Sequence, residues 1–223
     1  MIATMDDLSF RPYDPSDLDA CAQMASDAWP FVSSLVGTGD FAKLMRGYIE
    51  LGCLPSTRLE VACVSDAVIG LLFARIVSEA TVAHHVGEIL SGAAICTGMM
   101  LGRYGRIRSL LALLRDGVAT GTRVKNHMPD AGAVVELLVV STKYQRRGIG
   151  RALMDRFVHA ARDKGVCRIA LHSDEMSSWG FYEAYGFERW ATFNEVITSR
   201  MMGENKKGFV YVMDIEAHPR GSM

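Results

Sequence analysis

Residues 134–186 read VVELLVVSTKYQRRGIGRALMDRFVHAARDKGVCRIALHSDEMSSWGFYEAYG, and the changes of pattern along this stretch decide the fold. Residues 134–140 are apolar except for Glu136 and alternate as a strand does. Val134, Glu136, Leu138 and Val140 fall on one face, and Val135, Leu137 and Val139 on the other. A carboxylate in so apolar a run needs a partner, water or a cleft to remain ionised. A basic turn follows, Gln145-Arg146-Arg147-Gly148-Ile149-Gly150-Arg151. The apolar positions Ile149, Leu153, Met154, Phe157, Val158 and Ala161 then take helical spacing, and Lys164-Gly165 ends the helix. Residues 166–172 read as the next strand and 177–185 as a short aromatic-rich helix.

The turn between the first strand and the helix has the chemistry of an anion site. Its glycines permit a tight bend and close approach of a ligand to backbone. The helix after it directs unpaired amides and the positive end of its dipole at whatever the turn holds, and the arginines add charge. A pyrophosphate suits that combination. A dinucleotide fingerprint would need a third glycine, and a Walker A loop would need Gly-Lys-Ser/Thr; neither is present.

At Gln145-Arg146-Arg147-Gly148-Ile149-Gly150 the chain resembles the GNAT superfamily of acetyl-CoA-dependent N-acetyltransferases, whose signature is Gln/Arg-x-x-Gly-x-Gly/Ala at this strand-to-helix corner. The resemblance implies an α/β (α+β) fold: a mixed, mostly antiparallel sheet of about seven strands with helices on both faces. It implies acetyl-CoA as co-substrate, with Gln145, Arg146, Arg147, Gly148, Ile149, Gly150 and Arg151 at the pyrophosphate. Leu138, Val139 and Val140 would present main chain to the pantetheine arm, with one amide available as an oxyanion donor. Trp179 to Phe187 contains Tyr182-x-x-x-Gly186-Phe187, similar to the family's second hallmark, so Tyr182 is expected to return a proton to the leaving thiolate. Glu175 stands where the family commonly has an asparagine that contacts pantetheine, which puts that contact in doubt. An acceptor amine must lose a proton before it attacks, and Glu136, acting through water, is the first candidate base, with His172 second. The plainer alternatives are a satisfied strand carboxylate and a tyrosine that caps the sheet.

Working outward, residues 8–13 alternate as a first strand, with Pro12 suited to an edge. Asp14-Pro15-Ser16-Asp17 offers turn and cap residues for a helix whose face runs from Leu18 to Trp29 and which Pro30 stops. A second helix is expected over about residues 41–51, and Trp29, Phe31 and Tyr48 either line an acceptor cleft or pack on the sheet. Residues 58–64 and 68–77 form a hairpin about Ser65-Asp66-Ala67. Two more strands, about 189–198 and 207–215, surround a turn at 203–206, and the tail from Glu216 is expected to be mobile.

Residues 78–132 form an insertion between the third and fourth strands, longer than the family's usual short connection. Ile107, Leu110, Leu111 and Leu114 give part of it a helical stripe, flanked by Arg103, Arg106, Arg108 and Arg115. A lid, a homodimer contact, a partner-binding face or a helix packed on its own domain all remain open. His84, His85 and His127 invite a metal reading. Adjacent histidines diverge along regular backbone, however, and no carboxylate or cysteine cluster is apparent beside them, so no metal is expected.

With 223 residues, 49% of them hydrophobic, one domain spanning 1–223 is expected. Lys plus Arg (24) balance Asp plus Glu (25), which gives no electrostatic case for nucleic acid or membrane partners. The scattered cysteines Cys21, Cys53, Cys63, Cys96 and Cys167 suggest neither a disulfide framework nor zinc, and a reducing cytoplasm is expected. No secretory signal is visible at the N-terminus, and residues 89–102 are too few for a membrane span. The expected function is direct acetyl transfer to a primary amine, more readily a small molecule. The alternatives are a protein N-terminus or lysine as acceptor, and a non-catalytic acyl-CoA sensor.

Overall fold

The structure is a computed structural model that describes residues 7–30, 33, 38–105 and 107–216, apart from the side chains of residues 38–40, 107–110, 112 and 113. Phe31, Arg106, the side chains of Ile107, Arg108 and Leu110, and the tail beyond Glu216 therefore lie outside the described residues. In chain order the elements are β1 (Leu8–Pro12), α1 (Leu18–Ala28), α2 (Thr38–Cys53), β2 (Arg58–Val64), β3 (Ala67–Ile76), α3 (Val82–Met100) and α4 (Ile107–His127). They continue with β4 (Ala133–Val140), α5 (Ile149–Asp163), β5 (Arg168–Asp174), α6 (Trp179–Tyr185), β6 (Glu188–Glu195), α7 (Ile197–Met202) and β7 (Lys206–Asp214).

The strands form one seven-stranded sheet in the order β1-β2-β3-β4-β5-β7-β6. Every pair is antiparallel except β4 with β5. The β2–β3 hairpin turns on Ser65 and Asp66, both at positive φ, the backbone that a two-residue hairpin turn requires. One face of the sheet buries α5 through Ile149, Leu153, Met154, Phe157, Val158 and Ala161, the stripe read from the sequence. The other face buries Cys21, Ala22, Met24 and Ala25 of α1 and Met45 and Ile49 of α2 against Leu71, Phe73, Leu137 and Val139. Ahead of α1, Asp14 caps a short 3-10 turn and Asp17 completes the capping box by accepting from the Asp14 amide; Asp17 also pairs with Arg11 at 2.7 and 2.8 Å, and that pairing holds its carboxyl below the usual range.

Strict alternation along β4 is corrected by the structure. Phe73 pairs with Leu137 and Ala74 with Val135, so Glu136 is an extra residue bulged out of the ladder. A bulge shifts the side-chain phase. Val135 packs with Leu138 and Val140 on the α5 face, whereas Leu137 and Val139 pack on the α1–α2 face. Glu136 is thereby grouped with Leu137 on a cleft instead of with Leu138 and Val140.

The insertion is more helical than its sequence pattern suggests. Residues 82–100 are apolar around the whole circumference and carry Gly87, Gly92 and Gly98, so no single stripe reveals α3. Between α3 and α4, Tyr104 lies 2% exposed against glycines of two helices. A Cβ at Gly47 would stand 2.8 Å from its ring, and one at Gly98 would stand 2.9 Å from it. Its hydroxyl donates to Glu50, which also accepts from Arg103 at 2.9 Å. On its other flank α4 is tied down by Thr120 to Glu195 at 2.6 Å, Arg200 to Asp116 at 2.5 Å, and Arg123 to the carbonyl of Asn194. Towards the C-terminus, α7 takes the last two residues of the span read as strand, Ile197 and Thr198, and runs on to Met202, just before the turn expected at 203–206. Among the described residues, no helix is long and apolar enough to cross a membrane.

Two outcomes follow from these contacts. Gly98→Ala drives a methyl into the Tyr104 ring and is expected to lower stability by about 1–3 kcal/mol in chemical denaturation, the range for overpacked sites. Gly117→Ala, with open space around its Cβ, serves as the neutral control. The second concerns Glu195, only 2% exposed, whose carboxylate accepts from Thr120, from the Thr198 hydroxyl at 2.7 Å and from the Thr198 amide at 2.5 Å. Burial raises its pKa, but these hydrogen bonds prevail and leave it below the ordinary value of 4.5. A depressed carboxyl stabilises the fold above its unfolded pKa and loses that contribution as pH falls through its folded pKa. Glu195→Gln is therefore expected to cost about 1–3 kcal/mol at pH 7. Its deficit relative to the parent should shrink as the buffer is taken from pH 5 downward.

Candidate active site

The site begins where β4 and β5 part. Their parallel ladder holds only Ala133 to Val135 against Ile169 to Leu171. Beyond that point β4 stays paired with β3 as far as Val140, and β5 with β7 as far as Asp174. The facing edges of the two strands open as a V. Backbone groups on those edges, including those of Leu138, Val139 and Val140, have no strand opposite them, and unpaired main chain in an interior favours a ligand that can bond to it.

At the open end of the V lies the basic turn. Arg146 and Gly148 both take the left-handed backbone, with φ of 59° and 83°. Gly148 is the N-cap of α5 and supplies no side-chain cap, so the first amides of the helix are free for a ligand. A Cβ on Gly148 would meet nothing within 4 Å, whereas one on Gly150 would lie 3.5 Å from the Phe181 ring. The turn is thus open on its outer side and closed behind. Gln145 donates through Nε2 to the carbonyl of Val140 at 3.2 Å, which ties the turn to the end of the strand. Arg147 lies over Tyr144 and Arg151 over Tyr185, with both guanidinium groups near the turn. The Ile149 side chain is buried in the core, so only its main chain faces this region. These residues fit a pyrophosphate-bearing cofactor: left-handed glycine backbone, uncapped helix amides and exposed arginines at one opening.

The inner part of the V leads to a cleft of about 480 Å³ on the α1–α2 face. Trp29 and Tyr48, edge to face at 5.5 Å, form one wall; Glu136, His172 and Asp174 come from the splayed strands. The insertion supplies Met99, Tyr104, Leu114 and Thr120, and Glu195 comes from β6. Burial pushes the Glu136 carboxyl up, opposed by Arg75, whose guanidinium is 3.6 Å away. Burial also raises Asp174, although it accepts from Ser177 and the Met176 amide. His172 stacks on Phe193, and its buried Nε2 has no hydrogen-bond partner among the described residues. Burial lowers its pKa and favours the neutral ring.

Tyr182 lies beside the cleft, packed against Phe187 and Tyr211. Burial, then Tyr48 and Asp174, raise its pKa well above the usual 10. Glu136, His172 and the surroundings of Tyr182 therefore share one region. The turn at 145–150 is separate from it, lying beyond Val140, which is itself about 13 Å along the strand from Glu136. Glu175 accepts from the Lys207 amide at 3.2 Å and so holds the edge of β7. Asp174 and Glu195 were missed by the sequence reading. Asp174 falls two residues beyond the strand end expected at His172, and Glu195 sits within a strand whose partner, Thr120, is distant in sequence.

The expectation that no carboxylate accompanies the adjacent histidines is also corrected. In α3, Glu88 lies one turn beyond His84 and His85, 3.8 Å from Nδ1 of the first and 2.8 Å from Nδ1 of the second. His127 stands apart, stacked on Phe193.

Residues 103–187 match the sequence model of the Acetyltransferase (GNAT) family. GCN5-related N-acetyltransferase 1, chloroplastic, of Arabidopsis thaliana is 37% identical over 84 residues, which make up 38% of this chain and 38% of that protein. Among solved structures, the ribosomal-protein-S18-alanine N-acetyltransferase of Escherichia coli has a TM-score of 0.51 at 11% identity, covering 97% of this chain and 99% of that one. Ard1 from Thermoplasma volcanium has a TM-score of 0.51 at 14% identity, over 94% and 98% of the two chains. Those two likenesses are of fold. The sequence match to the GNAT family is therefore carried by residues 103–187, within which the splayed strand β4, the basic turn and α5 lie, and over the rest of the chain the likeness is one of fold.

Proposed function

We propose that the protein transfers the acetyl group of acetyl-CoA directly to the amino group of a small primary amine. The observation that carries this reading is the V between β4 and β5, with a pyrophosphate-suited turn at its mouth and an acidic cleft at its inner end. When bound, acetyl-CoA supplies an activated acetyl thioester. The α5 amides after Gly148, with Arg146, Arg147 and Arg151, hold its pyrophosphate. Main chain of Leu138, Val139 and Val140 holds the pantetheine arm, and one of these amides donates to the thioester oxygen.

Glu136 accepts the acceptor's proton, directly or through water. Its upward shift from burial supports that role, because a base whose pKa approaches the working pH is more effective. His172, neutral and with a free Nε2, is the second candidate. Tyr182 keeps its proton at neutral pH and donates it to the departing thiolate. The Glu136, Asp174 and Glu195 side chains favour a cationic amine, and a cleft of about 480 Å³ falls within the roughly 300–1,000 Å³ typical of small-molecule sites.

The reading is tested by incubating the protein with acetyl-CoA and a panel of small amines, following release of free thiol. Thiol release with at least one amine supports it. Binding of CoA without release for any small amine or peptide would favour a sensor, and release only with peptides would move the acceptor to a protein. Gly148→Val crowds the open side of the turn and forces a branched residue into left-handed backbone. It is expected to weaken CoA binding by at least tenfold in calorimetry, the equivalent of about 1.4 kcal/mol. Unchanged affinity would remove the turn from the cofactor site. Tyr182→Phe is expected to lower kcat by about 10²–10⁴, the usual contribution of a general acid, and to leave CoA affinity within a few fold. An unchanged kcat would show that the proton comes from elsewhere.

A further inference from the structure

We propose that His84, His85 and Glu88, in the first turns of α3, form a binding site for a divalent transition-metal ion of the zinc class. The site is independent of the acetyl-transfer reading. It rests on the hydrogen bond of one histidine. Nε2 of His84 lies 3.1 Å from the carbonyl oxygen of Ser56. A carbonyl can only accept, so Nε2 must carry the proton, and in the neutral ring the lone pair is left on Nδ1.

That Nδ1 is buried and has no hydrogen-bond partner among the described residues. It faces Oε1 of Glu88 at 3.8 Å, a lone pair set toward a carboxylate. Two electron-rich atoms so placed repel one another unless a cation lies between them. Nδ1 of His85 donates a hydrogen bond to the other oxygen of the same carboxylate at 2.8 Å, and a metal ion would take the place of that proton. The two rings lie nearly perpendicular, with centroids 5.9 Å apart.

The three candidate ligand atoms all lie within 4.8 Å of one another. Tetrahedral coordination with bonds of about 2.0–2.1 Å puts neighbouring ligand atoms about 3.3 Å apart, so modest side-chain rotations close the site. The helix makes the convergence natural. Positions 84 and 88 are four apart and 85 and 88 three apart, so both histidines reach the glutamate on one face although they are adjacent in sequence. Donation from the far nitrogen of a ligating histidine to a main-chain carbonyl is the usual way such a ring is oriented, and the Ser56 carbonyl provides it. Two imidazoles with one carboxylate favour zinc, cobalt, nickel or copper over calcium or magnesium, which prefer oxygen. Three protein ligands leave a coordination position for water or an added ligand. The charged neighbour on this side, Arg75, is 3.6 Å from Glu136, so its charge is partly met from the cleft.

The test uses the full chain with zinc alone and cobalt alone. Zinc is titrated against a chromophoric chelator, cobalt is followed by its visible d–d absorption, and Tm is recorded with and without zinc. The expected result is one tight equivalent in the parent, a cobalt spectrum of four-coordinate type, and a rise in Tm. His85→Gln and Glu88→Gln, on more exposed positions than His84, should each weaken zinc by more than about tenfold, since loss even of an outer-shell partner costs roughly 10–100-fold. His84→Gln should do the same, and the other two variants carry the comparison if it fails to fold. Affinity unchanged in the variants would assign the ion to other histidines or cysteines and overturn the site. Absence of zinc binding by the parent would overturn it too, leaving a proton on His84 Nδ1 as the cation between the two groups.

Discussion

The short pairing of β4 with β5 is the constraint on which the rest of the structure depends. Three residues of shared ladder hold the two halves of the sheet together, and beyond Leu171 the second half commits to β7. A sheet interrupted in this way leaves main chain without partners in its middle, which is costly unless something else bonds to it. The bulge at Glu136 begins where the ladder ends. It turns a carboxylate toward the cleft at the point where the strands separate, while Val135 and Leu138 remain on the α5 core. Anchoring of that core by α5 also fixes the direction of the helix, and so aims its uncapped amides at the mouth of the V.

The opposite face depends on the insertion in a similar way. An open V with only α1 and α2 beside it would be a broad groove. The α3–α4 pair narrows it, and what holds the pair in place is a small set of polar and aromatic contacts. Tyr104 sits against Gly47 and Gly98, and Glu195 accepts from Thr120 on one side and Thr198 on the other. Because Tyr104, Thr120 and Glu195 also line the cleft, the contacts that secure the insertion shape the space an acceptor would occupy.

The sheet and the α5 stripe were legible in the sequence because their periods were clean. So was the glycine turn, where φ of 83° at Gly148 is what a glycine before a helix signals. The phase of β4 was not legible. A bulge is decided by pairing with β3, and nothing local marks which residue will be extra. The helix α3 escaped for a different reason. Its apolar residues surround the axis, so spacing offers no contrast between faces, and Val82, Ile89, Leu90 and Met100 remain largely exposed. The relation of Glu88 to the histidine pair was lost with it, because three-and-four spacing has meaning only once a helix is assigned. Asp174 and Glu195 became site residues through contacts with segments far away in sequence, which no local pattern records.

The electrostatics of the cleft impose a last condition on the proposed chemistry. Carboxylates draw in an ammonium ion, but the same charge stabilises it in the protonated form that cannot attack. The side chains differ in a way that eases this conflict. Glu195, with its hydrogen bonds, stays anionic and supplies attraction, whereas burial raises Glu136 and so makes it the more willing proton acceptor. Arg75 limits that rise, which keeps Glu136 ionised and able to act as a base. Tyr182 stands at the other extreme, its proton held in place at neutral pH by burial and by the nearby Tyr48 and Asp174. Groups whose environments push their proton affinities apart are suited to opposite ends of a transfer. On this reading the bulge, the splay and the insertion act together, since each determines how far one of these groups is withdrawn from water.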